Sequence, residues 1–458
     1  MVQVAGTTLA VLTASSVAGG MDPLVAASLA AGIGLVLLGL RRPLILLFAF
    51  VALVPIEDAL LIPGIGTLSR MIGIVFAGVY AVPRIGRLTP GALPVAGWAF
   101  IGWAALSMAW AISPGVAQDQ LQTLFQMALV GFLIADVVIH DPTSVRPILW
   151  VYSISATATA ALGIALDLGG GTGTLARLAA LGGQNPAQFA SLLLPAFVFG
   201  FHELVHGRTV VAGGLVALFC TAGMVLSGTR STWVAAAIVV FVVLLPRLGI
   251  RRATVALGIV GLLALITFQI PGVASLVAER AGTAAQTGGA GRTDIWGAGI
   301  NIFESSPVTG VGYGNFPIAI ESTGFRSANI SAENLTTIAP HNVIVGSAAE
   351  LGVVGLALLV LFIGPLIARR GWGPDGPLVQ AVLLSLMIDA LFIDVFGYRK
   401  QVWIAIGLAS GLAYLAKQAR GTAATSPLAD AFASAADAAL PSGWRRGAVG
   451  LALRRRRS

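Results

Sequence analysis

Residues 341–367 have the sequence HNVIVGSAAELGVVGLALLVLFIGPLI, which contains one carboxylate, Glu350, and no lysine or arginine. An apolar stretch of about 18 residues or more is long enough to cross the hydrocarbon core of a bilayer as a helix. Lipid cannot hydrogen-bond a polypeptide backbone, so a segment in lipid must satisfy its polar groups internally, as an α-helix does. This stretch therefore predicts a transmembrane helix.

The rest of the chain has the same character. Of its 458 residues, 57% are hydrophobic and 10% are charged, against roughly half and a quarter in ordinary soluble domains. We therefore predict an all-α polytopic integral membrane protein with about 12–14 transmembrane helices. The predicted spans are 24–40, 43–62, 70–83, 92–112, 118–139, 147–167, 185–205, 209–227, 232–246, 252–270, 341–367, 376–396 and 402–416. Residues 1–20 either add one more helix or form an outside tail.

Cysteine content and charge exclude other classes of protein. The single cysteine, Cys220, excludes a disulfide framework and a cysteine metal cluster. The net charge of +8 lies mostly in short loops and at the C-terminus. Membrane orientation explains this distribution more simply than nucleic-acid binding does, because short cytoplasmic loops of membrane proteins retain lysine and arginine.

The basic residues also predict the orientation. When the predicted spans alternate across the bilayer, one side collects most of them, and we expect that side to be the cytoplasm. These residues are Arg41, Arg42, Arg84, Arg87, Arg146, Arg208, Arg247, Arg251, Arg252, Arg369, Arg370, Lys417 and Arg420. The C-terminal run Arg454 to Arg457 joins them and is expected to touch anionic lipid.

Four regions follow from this topology: N-terminal transmembrane helices (1–270), a large periplasmic loop (271–340), C-terminal transmembrane helices (341–417) and a basic cytoplasmic tail (418–458). The loop is too long for a structureless connection and is expected to carry structure or function. A minority of cations faces outward, against the topological rule, and an anionic ligand on that side explains them most simply. They are Arg70, Arg177, Arg230, Arg280, Arg292, Arg326, Arg399 and Lys400.

The large loop contains the sequence GRTDIW at residues 291–296. Apolar residues follow at helical spacing, at Ile295, Ala298, Gly299, Ile302 and Phe303, which predicts an amphipathic helix along the membrane surface. Arg292 opens this helix, and Thr293 or Asp294 is placed to cap it. Arg292 either binds a ligand or anchors the helix to lipid headgroups.

A glycine-rich segment follows, with the sequence PVTGVGYGNF at residues 307–316. It is not a nucleotide-binding P-loop, because no Gly-Lys-Ser/Thr follows. Glycines permit tight turns and positive φ. Tyr313 and Phe316 either stack on a sugar or pin the loop to the membrane, and loop architecture alone is the simpler interpretation of the segment.

The loop ends at Pro340-His341-Asn342, at the outer boundary of the next span. An imidazole has a reference pKa of about 6.5 and can take up a proton near neutral pH. His341 is therefore either a general base or a hydrogen-bonding group at a helix start. Glu350 lies inside the span, where a carboxylate is costly without a partner, and is interpreted as structural.

Another outer turn has the sequence SGTRSTW at residues 227–233 and holds Arg230 near the membrane plane. A guanidinium there either binds a phosphate bidentately or extends to the headgroups. Asn185 and Gln188 open a further span on the same side, where they either hydrogen-bond a sugar or start the helix.

Two acidic features have alternative explanations. Glu57 and Asp58 form an outward pair that offers two ligands to a divalent metal, but lacks a third. Asp389 and Asp394 lie in a late span near Arg399 and Lys400, so ion pairing across the helix end is the simplest explanation. A proton path through Asp389 is the alternative.

Four motifs together resemble one family. Residues 228–233 (GTRSTW), 291–296 (GRTDIW), 307–316, and 340–342 (PHN) with 350–352 (ELG) resemble, in this order, the bacterial O-antigen ligase and O-antigen polymerase superfamily. The resemblance covers roughly residues 185–410. The N-terminal half is similar only in its run of spans.

The resemblance implies an integral membrane glycosyltransferase with a C-type fold in the bacterial inner membrane, with its active site facing the periplasm. Its donor would be an undecaprenyl-diphosphate-linked glycan, with no nucleotide sugar and no required metal or other cofactor. The resemblance implies donor binding by Arg230 and Arg292 and catalysis by His341. The acceptor would be a lipid A core sugar or another lipid-linked repeat unit.

We expect Asn342, Tyr313, Asn185 and Gln188 to contribute to substrate binding. The alternative function is a transporter or flippase for lipid-linked or anionic solutes, because many spans with outward arginines also describe a translocation path. Paired halves and broken helices around a midplane site, which are common in transporters, are not apparent in the sequence.

Overall fold

The computed structural model describes residues 34, 36–62, 66–169, 185–206, 209–244, 292–323, 325, 338–393 and 396–424, together with isolated positions between 249 and 282. In these residues the regular secondary structure is helical apart from one pair of two-residue antiparallel strands, β1 (Leu61–Ile62) and β2 (Gly66–Thr67). Predictions for residues 1–33 and 425–458, and for most of the span 252–270, lie outside the described residues.

Five helices of the described part are long and apolar enough to cross a membrane. They are α4 (Pro114–His140), α5 (Val145–Gly169), α6 (Pro186–His206), α11 (Val343–Ala368) and α13 (Lys400–Ala424). Shorter apolar helices lie between them: α1 (Pro43–Leu53), α3 (Val95–Leu106), α7 (Val210–Leu226), α8 (Arg230–Ile238) and α12 (Gly376–Asp389). The remaining helices are α2 (Leu68–Ala81), α9 (Arg292–Ser305) and α10 (Phe316–Ser322). The predicted all-α polytopic membrane fold is confirmed, and the total number of spans stays a prediction.

Glycines let the central helices approach closely. A Cβ atom on Gly213 of α7 would lie 2.8 Å from the carbonyl oxygen of Gly200 in α6. A Cβ atom on Gly407 of α13 would lie 2.6 Å from the carbonyl oxygen of Gly131 in α4. Small residues at such contacts are typical of helix packing in membranes, where dispersion between closely spaced backbones takes the place of the hydrophobic effect.

The helices are apolar on both their inner and their outer faces. Phe362 of α11 is fully buried and packs against Trp403 of α13, with ring centroids 6.3 Å apart. The adjacent Val360 and Leu361 are about 60% exposed. In water such exposed apolar surface would favour aggregation, whereas in a bilayer it contacts lipid tails. This distribution explains why hydrophobic residues make up more than half of the chain.

Charged residues join helix ends at one end of the bundle. Arg146 donates to Glu203 and to Asp375, each at 2.8 Å, and so connects the start of α5 with the end of α6 and the start of α12. Asp136 accepts from the Tyr80 hydroxyl at 2.9 Å and from the Thr89 amide at 2.8 Å. These ends are the ones predicted to face the cytoplasm, so the contacts agree with the predicted alternation of spans. The direction in which the bundle sits in the membrane stays a prediction.

Candidate active site

The glycine-rich segment 307–316 packs into a break in α11. Gly352 has φ 66° and ψ −168°, which interrupts the helix that the sequence predicts as continuous. Val353 donates its amide to the carbonyl of Pro307 at 2.8 Å, and the carbonyl of Ala349 accepts from the amide of Val311 at 3.1 Å. The break therefore exchanges helical hydrogen bonds for bonds to the loop, so the backbone groups at the break remain satisfied.

Two glycines make this close packing possible. A Cβ atom on Gly352 would lie closer than 3.0 Å to the carbonyl of Val308, and one on Gly310 would lie equally close to the backbone of Glu350. Both glycines have positive φ, at 66° and 67°. Side chains are excluded at both positions by space and by conformation. The glycines thus serve loop architecture, which was the simpler of the two interpretations of this segment.

The same loop is attached on its other side to the connection between α3 and α4. The Tyr313 amide donates to the Ser107 hydroxyl at 2.9 Å, and the Ser113 amide donates to the side-chain oxygen of Asn315 at 2.6 Å. The indole of Trp110 donates to the Thr309 carbonyl at 3.2 Å. Segment 307–316 therefore links the N-terminal half of the bundle to α11.

The predicted amphipathic helix is present as α9, and its apolar stripe is buried. Ile295, Ala298 and Ile302 are each less than 9% exposed, and Gly299 faces Val345 of α11 and the ring of Phe316. The stripe therefore contacts protein. An anchor in the lipid headgroups would need this stripe, so the helix serves instead to hold its first residue, Arg292, against the bundle.

Arg230 and Arg292, each the first residue of its helix, line one cavity of about 290 Å³. Val234, Trp296 and Phe392 form apolar walls, and the rings of Trp296 and Phe392 lie 6.4 Å apart. Burial and the positive charge of Arg230 lower the pKa of the Arg292 guanidinium. Two like charges in an apolar-walled cavity repel each other, and a bound anion relieves that repulsion.

A buried carboxylate lies close to Arg292 of this cavity. Asp389, the last residue of α12, is fully buried and faces the hydroxyls of Ser191 in α6 and Ser231 in α8, and Arg292 is the cation that acts on it. The expected ion pairing of Asp389 with Arg399 and Lys400 is wrong. The reason is packing: α12 contacts α6 and α8, and Lys400 at the start of α13 forms an ion pair with Glu57 instead. Asp394 lies outside the described residues.

His341 precedes α11 in an unusual backbone conformation. Its φ of 49° makes it the one non-glycine residue with positive φ in the described chain. Asn342 holds the position, because its side-chain oxygen accepts the amides of Ile344 and Val345 at 2.9 and 3.1 Å. The amide of Val343 donates to Ala390 at the end of α12, at 2.8 Å. Strained residues held in place by their surroundings are frequent at functional sites.

Electrostatics keeps the imidazole of His341 neutral. Burial, followed by the positive charge of Arg292, lowers its pKa from 6.5 to about 4. Both causes penalise the imidazolium form, so the ring is free to accept a proton at neutral pH. The action of Arg292 also shows that His341 lies close to the arginine cavity.

A second and larger cavity, of about 490 Å³, lies next to the backbone around His341. Its neighbours in the chain, Pro340 and Asn342, line this cavity, as do Tyr313 of the glycine-rich loop and Glu350 of α11. Glu350 accepts the amide of Phe316 at 3.2 Å, so its partner is the loop backbone. His341 is therefore close to Arg292 of the first cavity, and its chain neighbours line the second.

Comparison with known families bears on these residues. Residues 215–360 match the family model described as O-antigen ligase. This segment is similar to O-antigen ligases. The match confirms the resemblance seen in the motifs, and it contains Arg230, Arg292 and His341. No curated protein matches the chain. The apolar helices and the O-antigen ligase segment together indicate a membrane protein with a role in glycan transfer.

The structure places the other expected binding residues differently. The side-chain oxygen of Asn185 accepts the amide of Ala187 at 2.9 Å at the start of α6, which is the helix-start use of this residue. Asn185 and Gln188 are absent from the lining of both described cavities. Tyr313 and Asn342 line the larger cavity. The substrate-binding roles of all four stay predictions.

Of the two carboxylates considered for metal binding, Glu57 has other partners, and the side chain of Asp58 lies outside the described part of the structure. Glu57 is buried, accepts from the Ser69 hydroxyl at 2.9 Å and forms an ion pair with Lys400. Its charge is thus neutralised by a lysine from α13. Lys400 is itself only 8% exposed, so the ion pair is buried.

Sequence reasoning missed Gln120 and Thr123 of α4, which line the larger cavity. The sequence did contain a signal for them. Residues 118–123 have the sequence QDQLQT at the start of a predicted span. Polar side chains are costly in lipid, so such a cluster indicates a function inside the bundle. The predicted span began at residue 118, whereas α4 begins at Pro114.

Proposed function

We propose that this protein is an inverting, metal-independent glycosyltransferase of the inner membrane. It transfers a glycan from an undecaprenyl-diphosphate carrier to a saccharide hydroxyl on the periplasmic side. The observation that carries the proposal is the convergence of Arg230 and Arg292 on one cavity with His341 beside it, inside the O-antigen ligase segment.

The arginine cavity suits the diphosphate of the donor. A guanidinium binds phosphate through two parallel hydrogen bonds, and such charged bonds are strongest where water is excluded. Val234, Trp296 and Phe392 form apolar walls beside Arg230 and Arg292. Negative charge develops on the diphosphate as it leaves, and two fixed positive charges at that point stabilise the transition state.

His341 would act as the general base. The acceptor oxygen forms a bond to the anomeric carbon of the donor sugar while the bond from that carbon to the diphosphate oxygen breaks. The bonding pair leaves with the lipid diphosphate, and the acceptor proton moves to the neutral imidazole. Attack opposite the leaving group inverts the anomeric carbon.

Donor binding would also prepare the base. Arg292 contributes to the low pKa of His341, and a diphosphate bound to Arg292 offsets that positive charge. The pKa of His341 then rises towards its ordinary value, and a base with a pKa near the working pH is more effective. This coupling activates His341 when the donor is present.

The position of the charges favours transfer over transport. Arg230 and Arg292 begin their helices, and His341 precedes α11. A translocation path would be expected to place decisive charges near the middle of the membrane.

The activity is tested with purified protein in lipid nanodiscs and an undecaprenyl-diphosphate-linked oligosaccharide as the donor. Two acceptors are compared: a lipid A core oligosaccharide and a lipid-linked repeat unit. The products are identified by mass spectrometry. Transfer to the first acceptor indicates a ligase, and transfer to the second a polymerase.

Arg230→Lys and Arg292→Lys should each lose most of the transfer, because an ammonium cannot reproduce the bidentate contact. Arg369→Lys, on the exposed end of α11, is the matched control. Near wild-type turnover in both site variants would contradict the donor-site assignment.

The role of His341 is tested with His341→Asn. Asparagine tolerates positive φ and cannot take the proton, so the substitution separates catalysis from backbone strain. We expect the rate to fall on the order of 10²–10⁴-fold while undecaprenyl diphosphate still binds. An active asparagine variant would make His341 a structural residue. Loss of wild-type activity on addition of a chelator would contradict metal independence.

A further inference from the structure

The larger cavity differs from the arginine cavity in its charge. Gln120, Thr123, Asn342 and Ser347 contribute polar side chains to its lining, and Glu350 contributes a carboxylate. Among the described residues, no lysine or arginine lines it. A diphosphate would be repelled by Glu350 and would find no cation there. The lining instead suits a neutral ligand with many hydroxyl groups, and the volume is within the range of about 300–1,000 Å³ typical of ligand sites.

Helix α4 supplies the polar wall of this cavity. Gln120 and Thr123 are three residues apart and therefore lie on the same face of the helix. Gln120 lies across the glycine-rich loop, since a Cβ atom on Gly314 would be 2.5 Å from its Cγ. Gly314 has φ 76°, so neither space nor conformation favours a side chain there. The loop thus leaves room for Gln120 at the edge of the cavity.

The polar and aromatic groups match the chemistry of a sugar. A glutamine amide and a threonine hydroxyl can each donate and accept hydrogen bonds. Each can therefore bind a sugar hydroxyl that acts as an acceptor or as a donor. Tyr313 and Tyr398 line the cavity as well, and a tyrosine ring presents an apolar face with a polar edge. The hydroxyl of Tyr313 lies beside Gly397, where a Cβ atom would be 2.5 Å away.

The position of His341 decides which sugar belongs here. The anomeric carbon of the donor must lie next to its diphosphate, on the arginine side. The attacking hydroxyl must lie next to the base, and Pro340 and Asn342, which flank His341, line the larger cavity. A saccharide in this cavity thus lies beside the backbone that carries the proposed base.

We propose that the 490 Å³ cavity binds the acceptor saccharide and that Gln120 and Thr123 of α4 determine which acceptor is used. The proposal rests on the glycosyltransferase function proposed above. Gln120, Thr123 and Tyr398 lie outside the O-antigen ligase segment, whereas Arg230 and Arg292 lie inside it. The two α4 residues proposed to select the acceptor therefore lie outside the segment that contains the donor arginines.

The test compares Gln120→Ala and Thr123→Val with wild type in nanodiscs. For each protein the KM of the acceptor, the KM of the donor and the affinity for undecaprenyl diphosphate alone are measured. Loss of one hydrogen bond of about 1.4 kcal/mol corresponds to about a tenfold change in affinity, so we expect about a tenfold rise in the acceptor KM. The donor KM and the affinity for undecaprenyl diphosphate should stay within about twofold.

Gln122→Ala is the matched control, because Gln122 is exposed on the same helix and is absent from the described lining. It should leave all three constants unchanged. An unchanged acceptor KM in both cavity variants would overturn the proposal. A rise in the donor KM alone would also overturn it and would assign the cavity to the donor glycan.

Direct binding separates this proposal from the enzymatic one. Saturation-transfer NMR with a lipid A core oligosaccharide and with a free repeat-unit oligosaccharide measures saccharide binding without turnover. Binding to wild type that is lost in Gln120→Ala supports the cavity even if no transfer is seen, in which case the proposed function alone fails. Equal binding in both proteins, or none in wild type, overturns the acceptor site.

Discussion

Replacement of Gly352 by alanine tests the central packing of the site. With φ 66° and ψ −168°, the residue occupies a region that is essentially restricted to glycine, and another residue there costs about 1–3 kcal/mol. The new Cβ atom would also lie closer than 3.0 Å to the Val308 carbonyl, and forced overpacking costs about 1–3 kcal/mol more. We therefore expect Gly352→Ala to lower the free energy of unfolding by about 2–6 kcal/mol.

The assay is unfolding in mixed micelles, followed by transfer activity in nanodiscs. Gly352→Ala should also lose transfer, because segment 307–316 is held in the α11 break and Tyr313 of that segment lines the larger cavity. Gly102→Ala in α3 is the control, since nothing lies within 4 Å of its added Cβ atom, and alanine in a helix should stabilise by about 0.5–1 kcal/mol. Equal unfolding free energies for Gly352→Ala and wild type would refute the reasoning.

Three further predictions concern orientation, an ion pair and pH. In a Cys220→Ala background, a cysteine replaces the exposed Glu304 of α9. It should react with an impermeant maleimide in intact cells, because α9 is proposed to lie on the periplasmic side. Reaction only after permeabilisation would reverse the proposed orientation. Lys400→Met leaves the buried carboxylate of Glu57 without its cation, so the free energy of unfolding should fall by about 3–5 kcal/mol. The double variant with Glu57→Gln should recover part of this loss. Unchanged stability of Lys400→Met alone would show that the pair is not buried. Because burial and Arg292 lower the pKa of His341 to about 4, the neutral base persists on acidification, and kcat/KM should decline only below about pH 5; a decline centred near pH 6.5 would indicate an unperturbed histidine.

Features that depend on local sequence were predicted correctly. A helix in lipid needs a long apolar run and satisfies its own backbone, so residues 343–368 could be assigned without knowledge of any neighbour. The stripe of α9 follows the helical period, and its burial agrees with that period. The motif around Arg230 and the motif around Arg292 could be recognised for the same reason, because each is contiguous in the chain.

Contacts between distant segments could not be predicted. Lys400 pairs with Glu57 across 343 positions of sequence, and no periodicity reports such a partner. Asp389 was expected to pair with the nearest cations along the chain, whereas helix packing turns it towards Arg292.

The sequence by itself determined that this is a helical membrane protein and which arginines and histidine its motifs contain, because the bilayer and the helix act on contiguous residues. Only the tertiary structure decided that α11 breaks at Gly352, that the glycine-rich loop fills the break, and that Gln120 of α4 reaches the cavity beside His341. The break exchanges helical hydrogen bonds for loop hydrogen bonds. Its stability depends on a partner more than thirty residues away along the chain, which local propensity cannot register.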